Sequence, residues 1–141
     1  MKSAEAQLRR MAAELLHLLG EKKCFVQIFL LKDREMRKLG KKVGALPSLK
    51  RSKMGRELRK EEHLNVLSFP DEVQFPDFDG RRSLGEVYLN YDWAEKKTEV
   101  LSYLLIHGIL HLLGYHHGSK RDTIKMEKLE KKLWRHVLLS V

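Results

Sequence analysis

The run HGILHLLGYHH at residues 107–117 holds four of the seven histidines in the chain. His107 and His111 are four residues apart, so on an α-helix they lie on one face, one turn apart. Two imidazoles so placed can bind one metal ion at about 2.0–2.1 Å each. A chance pair of histidines in a buried helix is the alternative. The density of histidines in this run favours a metal site instead.

A glycine separates the two pairs of histidines. Gly114 can end the helix in a left-handed turn, which would return His116 or His117 to the same ion. Three histidine ligands leave a fourth position for water, which is typical of a catalytic zinc site and differs from a closed structural site. The spacing alone leaves open which of the two later histidines is the third ligand.

The spacing H-x-x-x-H-x-x-G-x-x-H also occurs in metzincin proteases, which carry a glutamate directly after the first histidine as a general base. Here that position is Gly108. A peptidase of that kind would lose a group that is usually worth about 10²–10⁴ in rate. The sequence therefore predicts a shared metal geometry with different chemistry.

Zn²⁺ is the ion expected at this site, with one ion per chain, because three imidazoles and a tetrahedral arrangement suit it. Ni²⁺ and Co²⁺ would also fit three imidazoles. Such an ion can lower the pKa of a water molecule toward ~7 or act as a Lewis acid on a phosphate oxygen. The sequence leaves open which of these two roles the ion has.

The composition predicts one soluble domain over residues 1–141, since 141 residues with 43% hydrophobic content can bury one core. No apolar run approaches the ~18 residues of a membrane span, and the first residues lack the pattern of a signal peptide. The single cysteine, Cys24, excludes an internal disulfide and fits a reducing cytosol. We therefore expect a cytoplasmic protein with no membrane partner, and a monomer is favoured.

The charge balance favours an anionic partner. The formal net charge is +9 at pH 7, and nucleic acid is the simplest partner for such a chain. A solvated charged face is the alternative, but beside a metal site a phosphate-binding groove is the better interpretation. The cations concentrate in two segments, one with Lys32, Arg34, Arg37, Lys38, Lys41 and Lys42, the other with Lys50, Arg51, Lys53, Arg56, Arg59 and Lys60.

Helical and strand periodicities alternate along the chain, which implies an α+β fold of mixed α/β layers, with a small mixed sheet packed against helices. The segment 47–63 is basic and is interpreted as irregular. The predicted helices cover residues 3–19, a short stretch from Asp33, residues 98–113 and a last segment from Ser119 or Asp122, and the predicted strands cover residues 24–31, 65–69 and 84–90.

Further patterns accompany the histidine run. Residues 65–70 read NVLSFP and resemble a T-D-V-L-S-F-P strand, and residues 85–90 read GEVYLN and resemble the strand that follows it. Glu130 fits the M-x-x-x-E pattern of a last helix. Together with the string H-G-x-L-H-L-x-G-Y-x-H, these blocks resemble the YbeY family of bacterial metal-dependent endoribonucleases, also called rRNA maturation factors. His116 stands where that family usually has aspartate.

The resemblance implies a single-strand-preferring endoribonuclease that acts in rRNA maturation, including 16S 3′-end processing, and in ribosome quality control. It implies RNA, the small ribosomal subunit and ribosome-associated proteins as partners. It also implies that His107, His111 and His117 hold the metal on a helix at the centre of the fold. His111 is thereby a candidate catalytic residue as well as a ligand.

Four residues are candidates for contacts with the substrate. Arg59 lies near the position of a basic family residue, and its guanidinium could bind the transition-state phosphate bidentately. Alternatively, Arg59 is a surface cation without a catalytic role. Arg56 and Lys60 are candidates for substrate binding through charge, and Ser68 for shaping the cleft.

Three further residues are candidates to support the metal ligands. Glu86 could accept a hydrogen bond from the free ring N–H of a ligand histidine, and a solvated carboxylate at the sheet edge is the equal alternative. Tyr115 is expected to pack under the turn after the helix, and His116 to orient the site or replace His117.

Two other functions remain open at this point. The first is a zinc metallopeptidase or a similar zinc hydrolase, which the missing glutamate disfavours. The second is a non-catalytic ribosome assembly factor in which the metal only keeps the fold.

Overall fold

A three-stranded mixed sheet organises the molecule. A computed structural model describes residues 2–60, 65–71, 80–115 and 118–139. The strands are β1 (Cys24–Leu31), β2 (Val66–Pro70) and β3 (Arg82–Asn90), and their order across the sheet is β1-β3-β2. β3 runs parallel to β1 and antiparallel to β2, so the predicted small mixed sheet is confirmed.

Five helices in the described residues pack around this sheet and complete the predicted α+β architecture. α1, α4 and α5 share the larger core with one face of the sheet, whereas α2 covers part of the other face and contacts α3. None of the described helices is long and apolar enough to cross a bilayer. Their bounds are α1 (Lys2–Leu18), α2 (Asp33–Gly44), α3 (Lys53–Lys60), α4 (Thr98–Leu112) and α5 (Lys120–Leu139).

Side-chain alternation along the strands separates two hydrophobic clusters. Ile28 and Leu30 of β1 belong to the large cluster with α1, α4 and α5. Leu31 packs into a smaller cluster around Met36 and Leu67. The small cluster leaves part of its face open, since Phe29 on the same side is 37% exposed.

The segment expected to be irregular contains a helix, so that expectation is wrong over Lys53–Lys60. Ser52 begins this helix. Its hydroxyl accepts a hydrogen bond from the backbone N–H of Gly55 at 2.9 Å and donates one to the carbonyl of Leu49 at 2.6 Å. Such a cap supplies one of the partners that the first turn of a helix otherwise lacks.

α4 is the central helix of the described fold. Nine of its residues are buried, and it contacts α1, α5, β2 and β3. A helix apolar on nearly every side belongs in a core. Its two histidines therefore lie at the boundary between the core and a surface cleft.

Candidate metal centre

His107 and His111 meet on one face of α4. Their Nε2 atoms lie 2.9 Å apart, with the ring centroids 4.5 Å apart and the ring planes at 72°. Two nitrogen ligands of one tetrahedral ion are separated by about 3.3 Å, given metal–nitrogen distances of about 2.0–2.1 Å. The two nitrogens thus converge closely enough to share one ion, as the sequence spacing predicted.

A buried carboxylate holds the first imidazole. Glu130 of α5 is 5% exposed, and its Oε1 lies 2.9 Å from Nδ1 of His107. The other oxygen, Oε2, accepts a hydrogen bond from the hydroxyl of Tyr103 at 3.0 Å. With the proton of the ring on Nδ1 and directed at Glu130, Nε2 keeps a lone pair for a metal. The donor set therefore fits a zinc ion.

Tyr103 stands one helical turn before His107 on the same face of α4. Burial raises the pKa of its hydroxyl, and the hydrogen bond to Glu130 raises it further. The phenol therefore stays protonated at neutral pH and remains a donor to the carboxylate. Its ring packs edge-on against Trp134, with centroids 5.7 Å apart.

Gly108 lets α4 approach the sheet. A Cβ at this position would lie 2.8 Å from Cγ1 of Val87 and 3.0 Å from Oγ of Ser68. The hydroxyl of Ser68 also hydrogen-bonds the carbonyl of Gly108 at 3.3 Å. A side chain beside the first histidine, such as the glutamate of the metzincin pattern, would therefore require Val87 and Ser68 to shift.

The turn after α4 has the conformation that the sequence predicted. Gly114 has φ +97°, its N–H donates to the carbonyl of His111 at 3.0 Å, and the N–H of Tyr115 donates to that of Leu110 at 3.0 Å. These two bonds form a Schellman motif. His116 and His117 lie outside the described residues. The third ligand therefore stays a prediction, and no complete group of three metal-binding side chains occurs among the described residues.

The structure describes the surroundings of two residues that were expected to support the metal ligands. Glu86 accepts a hydrogen bond from the hydroxyl of Tyr88 at 2.7 Å, and it is Glu130 that contacts the ring nitrogen of His107. Tyr115 is 37% exposed. Its packing under the turn and a contact of Glu86 with another ligand histidine stay predictions.

A cleft of about 740 Å³ opens beside the histidine pair. Ser68, Glu86, His107 and His111 all line it, so the structure brings these four predicted residues together. The rest of its lining is mainly apolar and consists of Leu39, Val43, Leu46, Leu49, Val66, Leu67, Phe69, Pro70 and Tyr88.

Of the cations predicted to bind substrate, Arg59 has described partners, and they lie outside the histidine pair. The guanidinium of Arg59 donates to the carbonyl of Gly44 and, at 2.8 Å, to that of Lys50. It is thus bonded to the loop between α2 and α3, and it is not among the described residues that line the cleft. Arg56 is exposed on α3, and the side chain of Lys60 lies outside the described part. A catalytic role for Arg59 stays a prediction.

Sequence comparison places these features in a known family. A family model described as endoribonuclease YbeY matches residues 50–137, which include β2, β3, α4 and most of α5. An endoribonuclease YbeY from an Anaeromyxobacter species is 33% identical over 95% of this chain and 65% of its own length. One from Aquifex aeolicus is 28% identical over 88% of this chain and 77% of its own length.

Other relatives match a shorter part. An endoribonuclease YbeY from Bradyrhizobium diazoefficiens is 34% identical over 84 residues, 52% of this chain and 46% of the relative. The chain thus spans about half the length of such relatives. The family model nevertheless covers more than half of the chain, including the whole of the histidine helix. The chain belongs to the YbeY family of endoribonucleases.

Proposed function

We propose that this protein is a metal-dependent endoribonuclease in which His107, His111 and His117 hold a Zn²⁺ ion. The observation that carries the proposal is the convergence of two Nε2 atoms, 2.9 Å apart, at the end of a cleft. The carboxylate of Glu130 on Nδ1 of His107 supports it, because that contact leaves the other ring nitrogen to the metal. Family membership supports RNA as the substrate.

The residues of the chain and the ion have separate tasks. Bound Zn²⁺ would supply Lewis-acid polarisation of a phosphate oxygen or an activated water. Glu130 and Tyr103 keep the imidazole of His107 in one orientation and one tautomer. Gly108 and Ser68 fix the distance between α4 and β2, and so the width of the cleft.

The cellular role is part of the same proposal. A cytoplasmic enzyme that cuts single-stranded RNA during rRNA maturation, at the 3′ end of 16S rRNA, matches the family and the net charge of +9. The peptidase alternative is disfavoured, because the position after His107 is a glycine and a side chain there would displace Val87 and Ser68. The assembly-factor alternative remains an outcome of the test below.

The test combines metal content with RNA cleavage. We expect about one zinc per chain in the full-length protein, and its loss together with cleavage in His107→Ala and His111→Ala. Chelation should abolish cleavage of a single-stranded RNA, and added Zn²⁺ should restore it. His136→Ala is the matched control, because His136 is exposed and pairs with Glu14 at 3.0 Å, away from the cleft.

Two results would contradict the proposal. Zinc retained at full stoichiometry in His107→Ala would exclude this histidine as a ligand. Zinc bound at the pair without cleavage of any RNA would make the metal structural and favour an assembly factor.

A further inference from the structure

The floor of the cleft is the free edge of the sheet. β2 is an edge strand, and no strand pairs with its outer side in the part of the chain that the structure describes. The N–H of Asn90 donates to the carbonyl of Asn65 at 2.9 Å, which fixes the phase of the antiparallel ladder. Every second residue from Asn65 therefore directs its backbone to β3, and Val66, Ser68 and Pro70 direct theirs outward.

Few of these outward groups already have a partner. The N–H of Val66 donates to the side chain of Asn65 at 2.9 Å, and Pro70 has no N–H. The N–H and carbonyl of Ser68 face outward at the middle of the strand, and Ser68 lines the same cleft as His107 and His111. A ligand in the cleft would meet one donor and one acceptor on the same residue.

The walls of the cleft suit a flat apolar group better than a phosphate. Leucine and valine side chains from α2 and the loop after it form one side, and Phe69 and Tyr88 belong to the sheet. No lysine or arginine is among the described residues that line the cleft. Cations instead stand next to wall-forming residues in the sequence. Lys50 and Arg51, for example, come directly after Leu49. This charge pattern fits a nucleotide whose base is inside and whose phosphates lie at the rim.

A fixed carboxylate stands in the same cleft. Oε2 of Glu86 accepts the hydrogen bond of Tyr88 at 2.7 Å. Burial, with the hydrogen bond to Glu86 second, raises the pKa of Tyr88 to about 12, so the phenol stays a donor throughout the neutral range. A carboxylate oxygen can accept more than one hydrogen bond. Glu86 can therefore serve a ligand that carries N–H donors.

We propose that this cleft binds one unpaired nucleobase of the RNA, with its N–H donors on Glu86 and an acceptor of its remaining edge on the backbone N–H of Ser68. Guanine fits best, because its N1–H and its 2-amino group are parallel donors that match the two oxygens of a carboxylate. A paired base has these donors occupied, so the site also selects single strands. The inference rests on the proposed ribonuclease function and identifies the base that would bind next to the histidine pair.

The test compares guanine with hypoxanthine, which keeps N1–H and lacks the 2-amino group. Short single-stranded RNAs with one central guanosine or inosine are cleaved by the zinc-loaded protein, and binding of the two mononucleotides is measured by titration calorimetry. We expect a preference for guanine of about tenfold or more, the usual worth of a bidentate contact to a base. Glu86→Gln should abolish that preference with zinc content unchanged. Tyr88→Phe should reduce it, because the ring stays while the hydroxyl that fixes Glu86 is lost.

Glu99→Gln is the matched control, an exposed carboxylate in the first turn of α4, and it should keep the preference. Guanine binding that depends on Glu86 without cleavage of any RNA would support the base site and contradict the nuclease. Cleavage with equal rates for both RNAs, unchanged in Glu86→Gln, would overturn the base site alone. An extended apolar peptide that binds along β2, where neither mononucleotide binds, would also overturn it in favour of strand addition.

Discussion

Glu130 shows how one buried charge can be tolerated. A carboxylate that is 5% exposed on the inner side of α5 would be costly without partners. Its two oxygens instead meet Nδ1 of His107 and the hydroxyl of Tyr103. The same contacts that satisfy the carboxylate also orient the imidazole, so stability and metal binding depend on one side chain.

We expect Glu130→Gln to weaken zinc binding about 10- to 100-fold, the usual effect of removing such a partner of a ligand histidine. Competition with a chromogenic chelator measures the affinity. Glu14→Gln is the matched control, since it removes a carboxylate from His136 at the same kind of distance, 3.0 Å, on the surface. Equal zinc affinity in the two variants would mean that Glu130 has no role at the metal.

The sequence indicated that Glu130 is buried, but it did not indicate the function of this residue. Met126, Leu133 and Val137 form the buried stripe of α5, and Glu130 falls within it. A carboxylate in an apolar stripe indicates a buried partner. The partner is 23 residues away on another helix, and helix periodicity carries no information on how α5 docks on α4. The histidine pair was predictable because both members lie on one turn.

At the scale of the element, two helices end in the same way. α1 closes at Gly20, with φ +80°, and α4 at Gly114, with φ +97°. Both turns carry the paired hydrogen bonds of a Schellman motif, those of Gly20 and Glu21 going to the carbonyls of His17 and Leu16 at 3.1 and 2.8 Å. A Cβ at either glycine would meet nothing within 4 Å, so backbone conformation is the only obstacle to a side chain.

Replacing each of these two glycines with alanine should distinguish an effect on stability from an effect on metal binding. We expect Gly20→Ala and Gly114→Ala each to lower the free energy of unfolding by about 1 kcal/mol, because a left-handed residue with a Cβ is strained. Only Gly114→Ala should also weaken zinc binding, since this turn leads directly to His116 and His117. Chemical denaturation and chelator competition on both variants measure the two effects. An unchanged zinc affinity in Gly114→Ala would place the third ligand elsewhere.

Elements whose sequences carry a clear local pattern, such as apolar periodicity, were predicted well. Elements without such a pattern were missed. The bounds of β1 agree with the expected strand, and α4 begins and ends within one residue of the expectation. α3 was missed because its sequence, KMGRELRK, has few apolar residues, and the capping serine before it is a weak signal. The order β1-β3-β2 depends on pairing between distant segments, which no local pattern reveals.

At the scale of the whole molecule, the charges are unevenly placed around the cleft. The segment from Lys50 to Arg59 carries exposed cations beside the loop that forms one wall. Arg59 is bonded to the carbonyls of Gly44 and Lys50, which ties α3 to that loop. Phosphates that follow this surface would be neutralised without contact to the base in the cleft.

Neutralising that surface should change the salt dependence of RNA binding. Replacement of Arg51, Lys53 and Arg56 by glutamine should reduce the slope of log K against log salt by about 2, since each phosphate contact with a single strand contributes about 0.7. The control replaces three exposed lysines of α5, Lys125, Lys128 and Lys132, and should leave the slope unchanged. Equal slopes for the two triple variants would mean that the RNA does not follow α3.

The tight contact at Gly108 has a consequence for the evolution of proteins with this helix. In the genetic code one nucleotide separates some glycine codons from glutamate, so a lineage with this helix stands a single mutation from the peptidase signature. The mutant would nevertheless strain the contact between α4 and the sheet, because a Cβ there reaches Val87 at 2.8 Å and Ser68 at 3.0 Å. Smaller side chains at these two neighbours would relieve that strain. Selection for a folded chain would thus keep the two chemistries apart even where mutation brings them close.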